Sequence, residues 1–290
     1  MSKLSSLSPL RLVFGHHRPT LRIGLISLGM TIFCLIWIYP FLWMIGTSLK
    51  TNAEMFSNPG LIPENWAWDN YRRAWVEANM GRYFFNTLIV TGGSVLIGTL
   101  STAMMGYVLG RYRFPGRNVI FFAFVATVFL PQGFTIIPVF ELLSFLGLSS
   151  SLFGLTLATS GQSMVIFILL FAGYFSQLPK ELEEAALVEG VSFLRIFWYV
   201  MLPLARPVIV TVVIMQVLHA WNDFLLPLVI TLANPGIRTL SVGVYAFNGE
   251  QIIDWTGMSA AATISILPIV VLFILLQRYF INGLAGAVKG

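Results

Sequence analysis

Glu184-Ala185-Ala186-Leu187-Val188-Glu189-Gly190, continued by an apolar run to Leu202-Pro203-Leu204-Ala205-Arg206-Pro207, is a charged, helix-forming segment set between two long apolar stretches. Three acids within four residues (Glu181, Glu183, Glu184) cannot lie in lipid, so the segment sits in water or against another protein. Pro179 suits a first helical position, and the three acids complement a helix N-terminus. Gly190 tolerates the left-handed backbone that closes a helix. Ser192 is placed to cap a second short helix running to Val200, which Pro203 is expected to end. The expectation is a helix–turn–helix knob on the cytoplasmic face of a membrane protein.

The rest of the chain supplies the membrane. Of 290 residues, 57% are apolar and only 10% charged, far below the roughly 25% charge of soluble domains. Six apolar runs approach or exceed the ~20 residues that cross a bilayer: about 23–44, 84–109, 119–146, 152–175, 204–232 and 258–280. The first is too long for a secretory signal and ends in Trp-Ile-Tyr-Pro-Phe-Leu-Trp without a small-residue cleavage site, so it reads as a retained span. With both termini inside, twelve Lys and Arg fall on the inner side and five outside, as the positive-inside rule requires. The fold class is therefore an all-α membrane protein of six transmembrane helices. Residues 1–22 form a cytoplasmic tail and 23–290 the six-span domain. Its inner loop is 177–203, and its outer loops are 49–83 and 233–256. The net charge of +5 follows from this topology; there is no basic stripe for nucleic acid. A single cysteine, Cys34, excludes an internal disulfide framework and offers no metal-site spacing.

Several stretches carry a structural and a functional reading side by side. Trp66, Trp68, Tyr71 and Trp75 in the first outer loop suit an interfacial helix lying on the bilayer, and also a site for an external partner. The second outer loop, with Asn234-Pro235-Gly236 and Asn248-Gly249-Glu250, reads either as an irregular surface loop or as a contact with a soluble protein. Gly106-x-x-x-Gly110 allows two helices to approach closely. Pro40, Pro131, Pro138, Pro227 and Pro268 predict bent helices. The inner turn with Arg111, Arg113 and Arg117 reads as an anchor. Polar residues within spans, His219, Trp221, Asn222, Asp223, Gln132, Glu141, Gln162 and Gln216, either bond between helices or line a polar route. Mixed aromatic, amide and carboxylate groups suit a sugar, whose apolar faces stack and whose hydroxyls bond. Asp223 falls ~28 Å along a helix counted from Leu204, near the outer end.

The pattern Glu184, Ala185, Ala186, Gly190, Pro203, Pro207 resembles the signature loop of the membrane subunits of ABC importers, with Glu189 and Val191 standing where Asp and Ala are commoner. Three further stretches resemble carbohydrate permeases of the maltose-permease type, the second membrane subunit in particular: Trp221-Asn222-Asp223-Phe224-Leu225-Leu226-Pro227, the turn Arg111–Arg117, and the tail from Leu267-Pro268 through Gln277-Arg278-Tyr279-Phe280 to Gly290. The resemblance implies a bacterial inner-membrane permease subunit. It would pair with a homologous second permease and dock an ATPase through Glu184, Ala185, Ala186, Glu189, Gly190 and Pro203. Two ATPase subunits would bind the ATP and Mg, and an extracytoplasmic solute-binding protein would deliver the sugar and contact residues 233–256. The chain itself carries no phosphate-cradling Gly-x-x-x-x-Gly-Lys-Ser/Thr, no Gly-x-Ser-x-Gly and no His-Glu-x-x-His, so it is expected to be neither an enzyme nor a cofactor binder. The alternatives are a permease for another solute (amino acid, peptide, glycerol phosphodiester) and an ion-coupled secondary transporter. The latter would place ionisable sites at mid-membrane in repeated halves.

Overall fold

The computed structural model describes residues 21–162, 164–245, 247 and 253–287. Among them the regular elements are helices. The first long one, α1 (Leu21–Ser48), runs through Pro40 without a break. Short α2 (Asn52–Ser57) and α3 (Asp69–Arg72), the latter widening into a π turn, lead to α4 (Met80–Arg111). Next come α5 (Arg117–Val128), α6 (Ile136–Phe145), α7 (Leu152–Gln162) and α8 (Met164–Gln177). The charged segment and the apolar run after it form α9 (Glu181–Val188), α10 (Phe193–Ile196), a π turn at Phe197–Met201 and α11 (Leu202–Leu204). The chain ends in α12 (Arg206–Asn222), α13 (Leu225–Thr231), α14 (Leu240–Tyr245) and α15 (Trp255–Ala287).

Three of these, α1, α4 and α15, are long and apolar enough to cross a membrane, and counting each bent pair as one span brings the total to six. The six-span all-α architecture expected from sequence is thus present, but three spans are broken. Helices α5 and α6 meet at 106°, with Pro131 between them. Helices α7 and α8 meet at 52°. The third bent pair joins Phe193–Leu204 to α12 at 80°; α12 itself begins at Arg206 and stops at Asn222, where Asp223 and Phe224 separate it from α13, so the apolar run 204–232 is not one helix. A C-terminal Asn-Asp pair, whose side chains compete for backbone hydrogen bonds, ends the helix where hydropathy alone predicted continuity.

Pro203 also behaves differently from expectation. It does not end the second short helix; it sits in the first turn of α11, directly after the π turn. The proline ring would clash with the carbonyl four residues back in a regular helix, and the widened turn removes that clash. The sharp change of direction, 80°, falls at Ala205 instead, and Pro207 lies in the first turn of α12. Pro179 likewise lies outside α9, which starts at Glu181 after Lys180.

Helix α4 is the axis of the bundle. A Cβ on Gly106 would lie 2.4 Å from the Phe171 Cβ and 2.9 Å from the Ile168 oxygen; one on Gly110 would lie 2.5 Å from the Ala172 oxygen. The two glycines therefore let α4 lie directly on the backbone of α8, as their spacing predicted. Around this seam, Tyr107, Phe171, Phe175, Ile196, Phe197, Met201 and Val212 form the largest buried apolar cluster, joining α4, α8, the π turn and α12. Helix α1 packs mainly against α15 and is otherwise exposed along nearly its whole length, with Leu25, Leu35, Ile36 and Trp37 all bare.

Contacts define two ends. At one, Arg111 at the end of α4 meets Glu183 in α9. At the other, Arg73 and Asn52 meet Asp254, and Asn86 holds the carbonyls of Gly236 and Arg238. The 49–83 segment is not one helix lying on a surface; it is a knot of short pieces around Lys50. That residue is 1% exposed, and its ammonium donates to the carbonyls of Asn58 (2.6 Å) and Gly60 (2.5 Å). Trp66, Trp68 and Trp75 do remain exposed on its outer side. Nor is the second such segment irregular throughout: Leu240, Val242 and Gly243 of α14 pack on α4, with Tyr83 and Met80 against Gly243.

Candidate functional site

Two regions gather the residues singled out from sequence. The first is the α9–α11 elbow. Helix α9 ends on Gly190 at φ +74°, where Val191 N–H donates to Ala186 O and Gly190 N–H to Leu187 O, each at 3.0 Å. This paired closure is the glycine-dependent helix end predicted from the sequence. Glu184, Ala185, Leu187, Val188, Glu189 and Gly190 are exposed, and Val188 is 89% accessible. Leu194 of α10 is also exposed. The exposed stretch thus combines the acids Glu184 and Glu189 with apolar Leu187 and Val188. Pro203, also exposed, lies in the first turn of α11.

Sequence reasoning missed what holds the elbow in place. Glu183, one residue before the signature motif, turns inward and is 7% exposed. Its Oε2 accepts from Arg111 Nε at 2.8 Å, and its Oε1 from the Tyr107 hydroxyl at 2.6 Å and from the Tyr112 hydroxyl. Burial disfavours the charged carboxylate, but the two tyrosines and then Arg111 outweigh it and hold Glu183 below the usual carboxylate range. Tyr112 is shifted the opposite way, upward, by its own burial and by the neighbouring carboxylate. The available signal was the charge of Arg111 at a helix end; its partner 72 residues on was not visible in the pattern.

The second region is a cleft of about 500 Å³ lined by Gln162, His219, Asn222, Asp223 and Phe224, among others. His219 Nε2 and Gln162 Oε1 are 2.9 Å apart. Asp223 Oδ2 is enclosed and has no hydrogen-bond partner among the described residues. Next to it, Ser94, Thr159, Ser160, Gln216 and His219 line a void of about 10 Å³, room for one water. Gln216 Nε2 and Thr159 Oγ1 face burial there without a protein partner. The cleft thus unites Gln162, His219, Asn222 and Asp223. It does not include Trp221, which is 6% exposed and donates its indole N–H to Ser265 O at 3.0 Å, a packing role. Glu141 is exposed on α6 and Gln216 lies behind the cleft rather than in it. The Gln132 side chain lies outside the described residues.

At the opposite end from the elbow, Asn234 caps the 3₁₀ turn Pro235–Ile237 through Gly236 N–H, so Asn234, Pro235 and Gly236 form a rigid corner pinned to Asn86. Asn248, Gly249 and Glu250 lie outside the described residues. The corner leads to a latch: Asp254 accepts from Arg73 (3.0 Å), Asn52 (2.9 Å) and Thr256 (3.1 Å), and caps α15 through Gly257 N–H at 2.9 Å. Burial works against its charge, but these bonds hold Asp254 below the usual value. A carboxylate so lowered contributes stability that is complete above its unfolded value and fades as pH falls through its folded one. In thermal melts of the detergent-solubilised protein, stability should therefore decline below about pH 4, the ordinary Asp range. Asp254→Ala should lower the melting temperature at pH 7 and flatten that decline. An unchanged pH profile would mean that the latch does not contribute to the stability of this end of the bundle.

Among the described residues, no cluster of His, Cys, Asp and Glu could hold a metal. Comparison with known proteins agrees with a transport role. A family model described as "Binding-protein-dependent transport system inner membrane component" matches residues 102–285. The chain is 34% identical to the diacetylchitobiose uptake system permease protein NgcG of Streptomyces coelicolor, over 90% of this chain and 85% of that one. It is also 34% identical to the probable starch degradation products transport system permease protein AmyC of Thermoanaerobacterium thermosulfurigenes, over 88% and 93% respectively. In fold it superposes, with a TM-score of 0.78 and 23% identity over 92% of its length, on a chain in the crystal structure of a bacterial ABC transporter involved in the import of the acidic polysaccharide alginate.

Proposed function

The chain belongs to the binding-protein-dependent transport system inner membrane components and is a carbohydrate ABC importer permease, a transport subunit and not an enzyme; from that premise we propose that its α9–α11 elbow docks an ATPase and drives the bundle between inward- and outward-open states. The observation that carries the proposal is the elbow itself: an acid-rimmed apolar surface, exposed on its outer side and fixed on its inner side by a buried charge pair. Glu184 and Glu189 meet basic groups of the ATPase, while Ala185 and Ala186 permit close approach. ATP and Mg belong to that partner. The elbow then lies in the cytoplasm, as do both termini, and the corner at Asn234–Gly236 with the 248–250 stretch faces the extracytoplasmic solute-binding protein. A homologous second permease completes the pathway.

The cleft at Gln162, His219, Asn222 and Asp223 is this subunit's contribution to the route. Its amides and carboxylate match sugar hydroxyls, and Phe224 offers an aromatic face. Saccharide transport by relatives such as those above supports this class. The test is uptake by the reconstituted complex against neutral mono-, di- and oligosaccharides, sugar alcohols, amino acids and glycerol phosphodiesters. The expected result is saccharide uptake that requires both ATP and the binding protein, slowed by Asp223→Ala. In the same preparation, Val188→Cys should cross-link to the ATPase. Uptake that continues without nucleotide and collapses with the ion gradient would replace this reading with secondary transport. Uptake of amino acids or phosphodiesters alone would reassign the substrate.

A further inference from the structure

The docking surface has no use for Glu183. Successive residues on a helix diverge by about 100°, so Glu184 faces out while Glu183 faces the bundle. There it meets Arg111 in the most enclosed ion pair among the described residues, with side chains 4% (Arg111) and 10% (Glu183) exposed. We infer that the Arg111–Glu183 pair is the joint that transmits displacement of α9 into the long span α4, making both positioning residues for transport; this rests on the docking role proposed above.

The geometry is that of a clamp. Arg111 donates through Nε to Glu183 and through its two remaining nitrogens to Leu178 O (2.7 Å) and Pro179 O (3.2 Å), so one guanidinium grips the whole turn between α8 and α9. The carboxylate is bonded on both oxygens. Tyr107, one turn back along α4 and fully buried, anchors the pair in an aromatic box: its ring lies 5.4–5.5 Å from those of Tyr112, Phe175, Phe193 and Phe197. The box therefore draws on α4, α8, α10 and the π turn at once. Immediately below, Gly106 and Gly110 seat α4 against the α8 backbone without side chains between them.

Apolar contacts alone slide past one another at modest cost. A lever needs fixed register. A buried charge pair that is fully hydrogen-bonded adds little net stability over apolar residues of similar volume, but breaking it is strongly unfavourable. That combination suits a joint, which must resist slipping more than it must strengthen the fold. It also explains why charge is spent here, where an apolar contact would have filled the space.

The test replaces both charges with apolar residues, Arg111→Met with Glu183→Met, in the full importer with its ATPases and binding protein. The pair should still assemble and retain the ATPases, and ATP should still be hydrolysed. Sugar taken up per ATP should fall about tenfold, within the range of measured coupling energies. Wild-type uptake per ATP in an assembled double variant overturns the joint. Should that variant fail to accumulate, Arg111→Lys keeps the charge but loses the fork onto Leu178 and Pro179. It is expected to reduce uptake per ATP severalfold, and an unchanged ratio overturns the proposal equally. Failure of Val188→Cys to cross-link in the otherwise wild-type complex would instead remove the docking reading on which the joint depends, so the two failures are separable.

Discussion

Gly106→Leu should leave no assembled permease in the membrane extract. Even the first added carbon, Cβ, would sit 2.4 Å from Phe171 Cβ and 2.9 Å from a backbone oxygen and a backbone nitrogen of α8. Neither backbone atom can rotate away, so α4 and α8 must separate and take Tyr107, Phe171 and Phe175 with them. Overpacking of a yielding core costs about 1–3 kcal/mol. Here the obstacle is the neighbouring helix itself, so the cost lies at or above the top of that range. Gly92→Leu on the same helix is the control, because nothing lies within 4 Å of its Cβ position. Size-exclusion chromatography of the detergent-solubilised protein, with limited proteolysis, should show a monodisperse species for the control and none for Gly106→Leu. A normal yield of compact protein from the latter would mean that the α4–α8 seam is not the axis of the bundle.

The close seating of α4 on α8 is legible in the sequence. Gly106-x-x-x-Gly110 encodes close approach in the absence of side chains, a property of two residues and their spacing. The elbow was legible on the same grounds: charge in an apolar chain has to reach water, and Gly190 has to end a helix. What resisted reading depended on partners distant in the chain. Arg111 looked like an interfacial anchor because its partner lies 72 residues on. Trp221 looked like part of a sugar route because its indole acceptor, Ser265 O, is 44 residues away. Lys50 gave no sign of burial, since its acceptors are carbonyls exposed by a particular loop course rather than by residue type. The breaks were half legible. Pro131 announced the first, whereas Asn222-Asp223 stopped α12 through side-chain competition that hydropathy does not register. The cleft owes its form to that stop: only because the helix ends at Asn222 do Asp223 and Phe224 turn toward Gln162 and His219.

Gly190→Val should separate folding from transport. The glycine has φ +74° and no atom within 4 Å of its Cβ position, so the substitution meets no neighbour and acts through the backbone alone. A left-handed backbone costs a residue with a Cβ about 1–2 kcal/mol, and a β-branched one more. The chain can escape only by giving up the bonds from Val191 N–H to Ala186 O and from Gly190 N–H to Leu187 O that aim α10 away from α9. Nothing in the α4–α8 seam is touched, so the permease should insert and fold as before. A bias of that size lowers the ratio of docking-competent to alternative elbow about 5- to 30-fold. ATPase retained on the purified permease and ATP-driven sugar uptake should drop together, by at most that factor. Gly190→Asn, whose side chain tolerates the left-handed region, should keep most of both. Equal activity in the Val and Asn variants would show that the turn geometry is irrelevant to coupling. Loss of membrane insertion in the Val variant would show that the elbow belongs to the fold before it belongs to the motor.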